Sequence, residues 1–168
     1  MRRVRFELNG QTVEHEVVPR LLLSDFLRDV LGFTGTHVGC EQGACGACTI
    51  LLNGEAVRSC LMFAVQVDGA TIRTIEGVSP DGTSLHPIQQ AFHENYGLQC
   101  GFCTPGFVMS TCALLAENPA PTESEIRSHL SGNLCRCAGY ESIVQSVRQA
   151  AWELAGGNCA GKADGDDE

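Results

Sequence analysis

Three cysteines crowd one glycine-rich segment, Gly39–Cys40–Glu41–Gln42–Gly43–Ala44–Cys45–Gly46–Ala47–Cys48, and Cys60 follows further along the chain. C-x4-C-x2-C is the spacing that plant-type loops use to hold a 2Fe–2S cluster. Each of two irons needs two thiolates, so four cysteines must converge on one small object. The small residues between them let the backbone approach closely, and the N–H groups of such a loop can face an anionic cluster. A structural zinc site draws instead on two short C-x2–4-C pairs, and cytosolic reductants keep disulfides open. Cys40, Cys45, Cys48 and Cys60 are therefore read as one 2Fe–2S site.

Cys100–Gly101–Phe102–Cys103 and Cys135–Arg136–Cys137 form a second group, with 31 residues between the two pairs. By spacing alone, these four thiolates could hold zinc or a second cluster. Each pair stands immediately before an expected helix. Two helix N-termini would then face one centre, which favours an anionic group.

The elements that must position these cysteines divide into two halves. Residues 1–76 read mainly as strands. Those at 4–8 and 12–18 flank Asn9-Gly10, whose residue types tolerate the positive φ of a tight hairpin. A helix is expected from Ser24 or a neighbour to about Val30, with Leu23, Phe26, Leu27, Val30 and Leu31 at helical spacing and Gly32 as its stop. A second hairpin turns at Asn53-Gly54, pairing Ile50 with Val57 and Cys48 with Ser59. That brings Cys60 beside Cys48, provided that the strand ends or bulges there. Residues 70–75 read as a closing strand.

Residues 77–84 are dense in turn formers and read as a linker. Helices are then expected over 85–96, from Thr104–Pro105 to about Glu117, from a Thr122/Glu125 capping box to Gly132, and over about 141–154. Four helices with short connections over 85–156 imply a small bundle. The tail, 157–168, is acidic and reads as disordered.

The net charge of −9 argues against nucleic acid or an anionic membrane as partner. No apolar run reaches the roughly 20 residues that span a bilayer, and the Arg2–Arg3 pair lacks the hydrophobic segment of an export signal. A cytoplasmic location is the expectation, and there metal binding explains ten cysteines better than disulfides do.

The strings Gln99–Cys100–Gly101–Phe102–Cys103–Thr104–Pro105–Gly106 and Gly132–Asn133–Leu134–Cys135–Arg136–Cys137–Ala138–Gly139–Tyr140, together with the Gly39–Cys48 loop, resemble the iron–sulfur subunit of the molybdenum hydroxylases. This is the xanthine dehydrogenase and aldehyde oxidoreductase family, and the resemblance spans about residues 3–155. It implies an α+β chain: a β-grasp, ferredoxin-like N-terminal domain followed by a four-helix bundle, each with one 2Fe–2S cluster. It further implies that Gln99 and Cys137 contact a molybdenum–pterin cofactor on a large partner subunit, while the first cluster lies toward FAD on a medium subunit. Ala138 departs from the threonine the family often carries there.

The remaining reactive residues have plainer readings. Cys112 lies in an apolar stretch and reads as a small core residue, and Cys159 as an unpaired surface thiol. His37, near Cys40, reads as a supporting or surface residue, because four cysteines already complete the site. No nucleophile–base arrangement, phosphate loop or dinucleotide fingerprint stands out, so no substrate-converting site is expected in this chain. The expected role is electron transfer inside a heterotrimeric oxidoreductase. The alternative is a free-standing two-cluster ferredoxin that carries electrons by diffusion.

Overall fold

The computed structural model describes residues 1–156; the acidic tail and Cys159 lie outside them. The chain is α+β, with a mixed five-stranded sheet and several helices. Strands β1 (Arg2–Leu8) and β2 (Gln11–Val17) pair antiparallel around Asn9 and Gly10, both at positive φ, as a tight hairpin turn requires. β3 (Thr49–Leu52) and β4 (Glu55–Arg58) pair antiparallel around Asn53-Gly54 in the expected register, Ile50 opposite Val57. β5 (Thr71–Arg73) runs parallel to β1 and antiparallel to β3, which gives the sheet order β2-β1-β5-β3-β4.

Alternation along the strands determines where each face is buried. Val4, Phe6 and Leu8 of β1 point into a first core with Val17, Leu23, Phe26, Leu27, Ile50 and Ile72. β3 is covered on both faces. Ile50 joins that core, whereas its neighbour Leu51 joins the core of the helical half.

The first helix differs from the expectation. α1 (Leu23–Asp25) passes at once into a π turn, Phe26–Val30, closed by a bond from Leu31 N–H to the Phe26 carbonyl at 3.0 Å. Leu23, Phe26 and Leu27 still face the core, and Gly32 ends the segment at φ 80°. Arg28 donates to the carbonyls of Thr34 and Thr36, both at 2.7 Å, and so anchors the chain leading into the Gly39–Cys48 loop.

Among the described residues, four helices occupy the second half: α2 (Pro87–Glu94), α3 (Thr104–Glu117), α4 (Glu123–Leu130) and α5 (Tyr140–Leu154). The Thr122/Glu125 capping box forms as expected, a feature worth about 1 kcal/mol in typical helices. His86 and Gln89 make an equivalent box ahead of Pro87. α3 is apolar around most of its circumference because it is central. It packs against β3 and β4 on one side and against α2 and α4 on others. Thr104 is its first helical residue and Cys103 takes the cap position, so a candidate ligand immediately precedes the helix. Within the expected linker, Val78 is 1% exposed and belongs to the helical core.

Candidate metal centres

The first candidate site is assembled by a loop and the open end of a hairpin. β4 ends at Arg58, and Ser59–Leu61 form a 3-10 turn, so the strand stops where the register required it to. Ser59 fastens that turn to the loop: its N–H and hydroxyl both donate to the Cys48 carbonyl, at 3.3 and 2.8 Å. Cys60 is thereby brought close enough to Cys48 for that thiol to raise its pKa. Cys40 and Cys45 form the other pair, and Cys45 N–H donates to Cys40 Sγ at 3.4 Å.

Glycines make that loop geometry possible. Gly43 and Gly46 adopt φ of 79° and 74°; a Cβ on Gly43 would lie 2.5 Å from Leu61 Cδ1. A Cβ on Gly39 would stand 3.2 Å from Cys45 Sγ.

The second site is assembled from both pairs. Cys100 lies near enough to Cys137, and Cys103 to Cys135, for the second thiol to shift the ionisation of the first. Tyr140, at the start of α5, accepts a hydrogen bond from Cys135 N–H at 2.9 Å through its hydroxyl. Ala138 at φ 58° turns the chain between Cys137 and that helix. Cys100, Cys103 and Cys135 line a largely apolar cleft together with Cys45, Phe102 and Leu134. The two sites are therefore adjacent.

Backbone donors and burial set the thiols apart. Backbone N–H groups of Gln42, then Cys45, stabilise the Cys40 thiolate and bring its pKa down to about 7. The Phe102 N–H, with the Cys137 side chain, lowers Cys100 likewise. Burial, reinforced by Cys48, pushes Cys60 up to about 11; burial, reinforced by Cys135, pushes Cys103 up to about 12. Each site thus combines an easily ionised thiol with a less accessible one, Cys60 buried and Cys103 half-buried, that would give up its proton on binding a metal.

In protein stripped of iron, this contrast sets the order of chemical labelling. Because the fold favours the Cys40 thiolate, alkylation of Cys40 by iodoacetamide should rise with pH through about 7, below the ordinary thiol value of 9.0. Cys60 and Cys103 should stay unmodified across that range. Peptide mapping reads the order, and faster labelling of Cys60 would contradict it.

Four donors around one point suit a single ion, whereas two thiolates per iron suit a binuclear cluster. In both sites the strongest thiol–thiol influence runs between two neighbours, and in the first the Cys45 N–H is aimed at Cys40 Sγ. The residues present fit two 2Fe–2S clusters.

Gln99 is exposed, and its Nε2 donates to the Cys137 carbonyl at 3.4 Å. Cys112 is partly buried against the helical core, and burial raises its thiol to about 11. His37 donates from Nδ1 to the Phe102 carbonyl at 2.7 Å and stacks on the Phe102 ring, centroids 4.9 Å apart. It joins one ligand loop to the other. Asn133 and Tyr140 belong to the Gly132–Tyr140 string beside the second cysteine pair, but Arg58 carries no signal in its spacing that sequence reasoning could use; only the folded chain brings it to the Gly132 carbonyl.

Two family models together cover most of the chain. The family described as 2Fe-2S iron-sulfur cluster binding domain matches residues 6–73, and the one described as [2Fe-2S] binding domain matches residues 74–148. The chain is 52% identical over 151 residues to the caffeine dehydrogenase subunit gamma of Pseudomonas sp. (strain CBB1), covering 88% of this chain and 90% of that one. It is 51% identical over 152 residues to the nicotine 6-hydroxylase small subunit of Paenarthrobacter nicotinovorans, covering 90% and 91%. Among solved structures, quinoline 2-oxidoreductase from Pseudomonas putida 86 superposes with a TM-score of 0.88 at 48% identity, covering 92% of this chain and 95% of that one. Aldehyde oxidoreductase from Desulfovibrio gigas superposes with a TM-score of 0.90 at 43% identity, over 95% of this chain and 18% of that much longer one.

Proposed function

Because the chain belongs to the small iron–sulfur subunits of the molybdenum hydroxylases, we propose that it relays electrons from a molybdenum–pterin centre to FAD, both on partner subunits. The fold, in this reading, is a β-grasp domain followed by a four-helix bundle. Cys100, Cys103, Cys135 and Cys137 hold the entry cluster, and Cys40, Cys45, Cys48 and Cys60 hold the exit cluster. Each cluster supplies a one-electron redox centre whose potential the surrounding hydrogen bonds and burial adjust.

The observation that carries the proposal is the adjacency of the two cysteine sets, which share the lining of one cleft at the seam between the strand-rich and helical halves. This chain's own residues do three things. Backbone N–H groups at Cys40 and Cys100 favour thiolate, which prepares iron ligation. Burial of Cys48 and Cys60 limits water at the exit cluster. Gln99, hydrogen-bonded to the Cys137 carbonyl and still exposed, is free to offer its amide oxygen to a pterin on the large subunit. Substrate conversion belongs to that partner, and a cytoplasmic setting keeps the thiols available.

Purification of the complex from its host is expected to bring down a molybdenum-containing large chain and a flavin-containing medium chain. Iron and sulfide assay should give about four of each per chain, and paramagnetic resonance of the reduced complex should resolve two distinct 2Fe–2S signals. A chain that carries both clusters but never co-purifies with larger subunits would support the diffusible ferredoxin instead. Zinc in place of iron would refute both readings.

A further inference from the structure

A two-cluster relay needs a route from one ligand set to the other, and one stretch of the seam is tied together by buried polar groups. Asn133 is 2% exposed and joins three segments. Its Nδ2 donates to the Gly46 carbonyl at 3.0 Å, and its Oδ1 accepts from Ser110 of α3 at 2.9 Å. Arg58, the last residue of β4, closes the other side. Its Nη1 donates to Thr49 Oγ1 at 2.6 Å, and its Nη2 to the Gly132 carbonyl at 2.7 Å. Thr49 Oγ1 in turn donates to the Gly46 carbonyl at 2.5 Å. Inside this clamp, Leu134 N–H donates to the Cys45 carbonyl at 2.9 Å. Leu134 is covalently joined to Cys135. One hydrogen bond therefore separates a residue of the first ligand set from the direct neighbour of a residue of the second.

We propose that Arg58 is a positioning residue for electron transfer: it holds closed the Leu134 N–H to Cys45 carbonyl bond through which the electron crosses between the clusters. The inference rests on the two-cluster reading above. One electron leaves the Cys100/Cys103/Cys135/Cys137 side, which is oxidised by one equivalent, and enters the Cys40/Cys45/Cys48/Cys60 side, which is reduced by one. No bond forms or breaks and no proton moves. Electronic coupling decays far more steeply across a gap than along bonded atoms, so the seam with fewest unbonded jumps dominates. The rival seam, His37 on Phe102, enters the first loop ahead of Gly39 and Cys40 and is longer by that stretch of chain. A guanidinium suits the clamp because its planar fork reaches Thr49 and Gly132 at once, which an ammonium on a flexible stem does not match.

The test uses the whole complex. One-electron photochemical reduction is followed by time-resolved monitoring of transfer between the clusters, with both potentials measured so that the driving force is known. Arg58→Gln should slow the transfer at matched driving force, with both paramagnetic signals retained. Arg58→Lys should keep the potential of the first cluster, because the charge remains, yet still slow the transfer, because the fork is lost. Should Arg58→Gln fail to load iron, the near-isosteric Thr49→Val, which removes one anchor of the guanidinium, is read by the same criteria. An unchanged transfer rate in loaded variants overturns the proposal. So does slowing in His37→Gln without slowing in Arg58→Gln. If the unaltered complex itself lacks two 2Fe–2S signals, the two-cluster reading fails before any variant is compared.

Discussion

Cys137→Ser is expected to abolish the entry cluster and leave the exit cluster visible by paramagnetic resonance. The thiol of Cys137 lies near enough to Cys100 to lower its pKa, and the two would form one of the pairs that a binuclear cluster needs. Serine is nearly the same size but a harder ligand, and its hydroxyl keeps its proton far above the pH at which a thiol gives one up. The damage should exceed that of changes which merely reorient a ligand, so turnover of the complex with an artificial acceptor should fall by at least about 100-fold. The exit cluster is expected to survive because its cysteines depend on the Gly39–Cys48 loop and on the turn that Ser59 fastens to Cys48. Its signal should still change shape, since Leu134 bonds the Cys45 carbonyl from the loop that Cys137 anchors. Retention of both signals would remove Cys137 from the ligand set. Loss of both would mean that the two loops assemble only together.

Much of this arrangement is legible in the residues themselves, for local reasons. Asn9-Gly10 and Asn53-Gly54 favour positive φ, so both hairpins and their registers follow from four residues. The second of those registers carries Cys60 to Cys48 without any knowledge of the rest of the fold. Thr122 and Glu125 mark a helix start by the same kind of short-range logic. The π turn at Phe26 is not legible, because the spacing of Leu23, Phe26 and Leu27 suits an ordinary helix equally well. The shared packing of the two halves is hidden for a different reason. Leu51 looks like one more residue of a buried strand, and only the placement of α3 against β3 assigns it to the helical core. Arg58 and Asn133 lie 75 residues apart, and no local pattern signals that the guanidinium will meet the Asn133 side chain. His37 is legible as a supporting residue near Cys40, but its stacking partner, Phe102, lies in the other ligand loop.

Gly46→Ala should destabilise the protein far more than Gly54→Ala, although both glycines adopt positive φ. At Gly54, φ is 90° and a Cβ would meet nothing within 4 Å, so alanine there incurs only the backbone penalty, roughly 1–2 kcal/mol. At Gly46 the same penalty is joined by a collision. The new Cβ would lie 2.6 Å from the Gly132 carbonyl oxygen and 2.7 Å from Asn133 Nδ2. Neither neighbour is the loose end of a flexible chain. Gly132 presents backbone that Arg58 holds, and Asn133 is buried and hydrogen-bonded on both sides of its amide. Overpacking of this kind adds about 1–3 kcal/mol. The sum, roughly 2–5 kcal/mol, corresponds to a fall in Tm of about 4–20 °C for a chain of this size. Thermal unfolding of the loaded protein, followed by visible absorbance of the clusters and by far-ultraviolet circular dichroism, measures it. Because the collision pushes apart the two loops that carry the cysteines, bleaching of the clusters should precede loss of helix in Gly46→Ala and coincide with it in Gly54→Ala. Equal Tm values for the two variants would show that the loops have room to separate, and that the seam is looser than its hydrogen bonds imply.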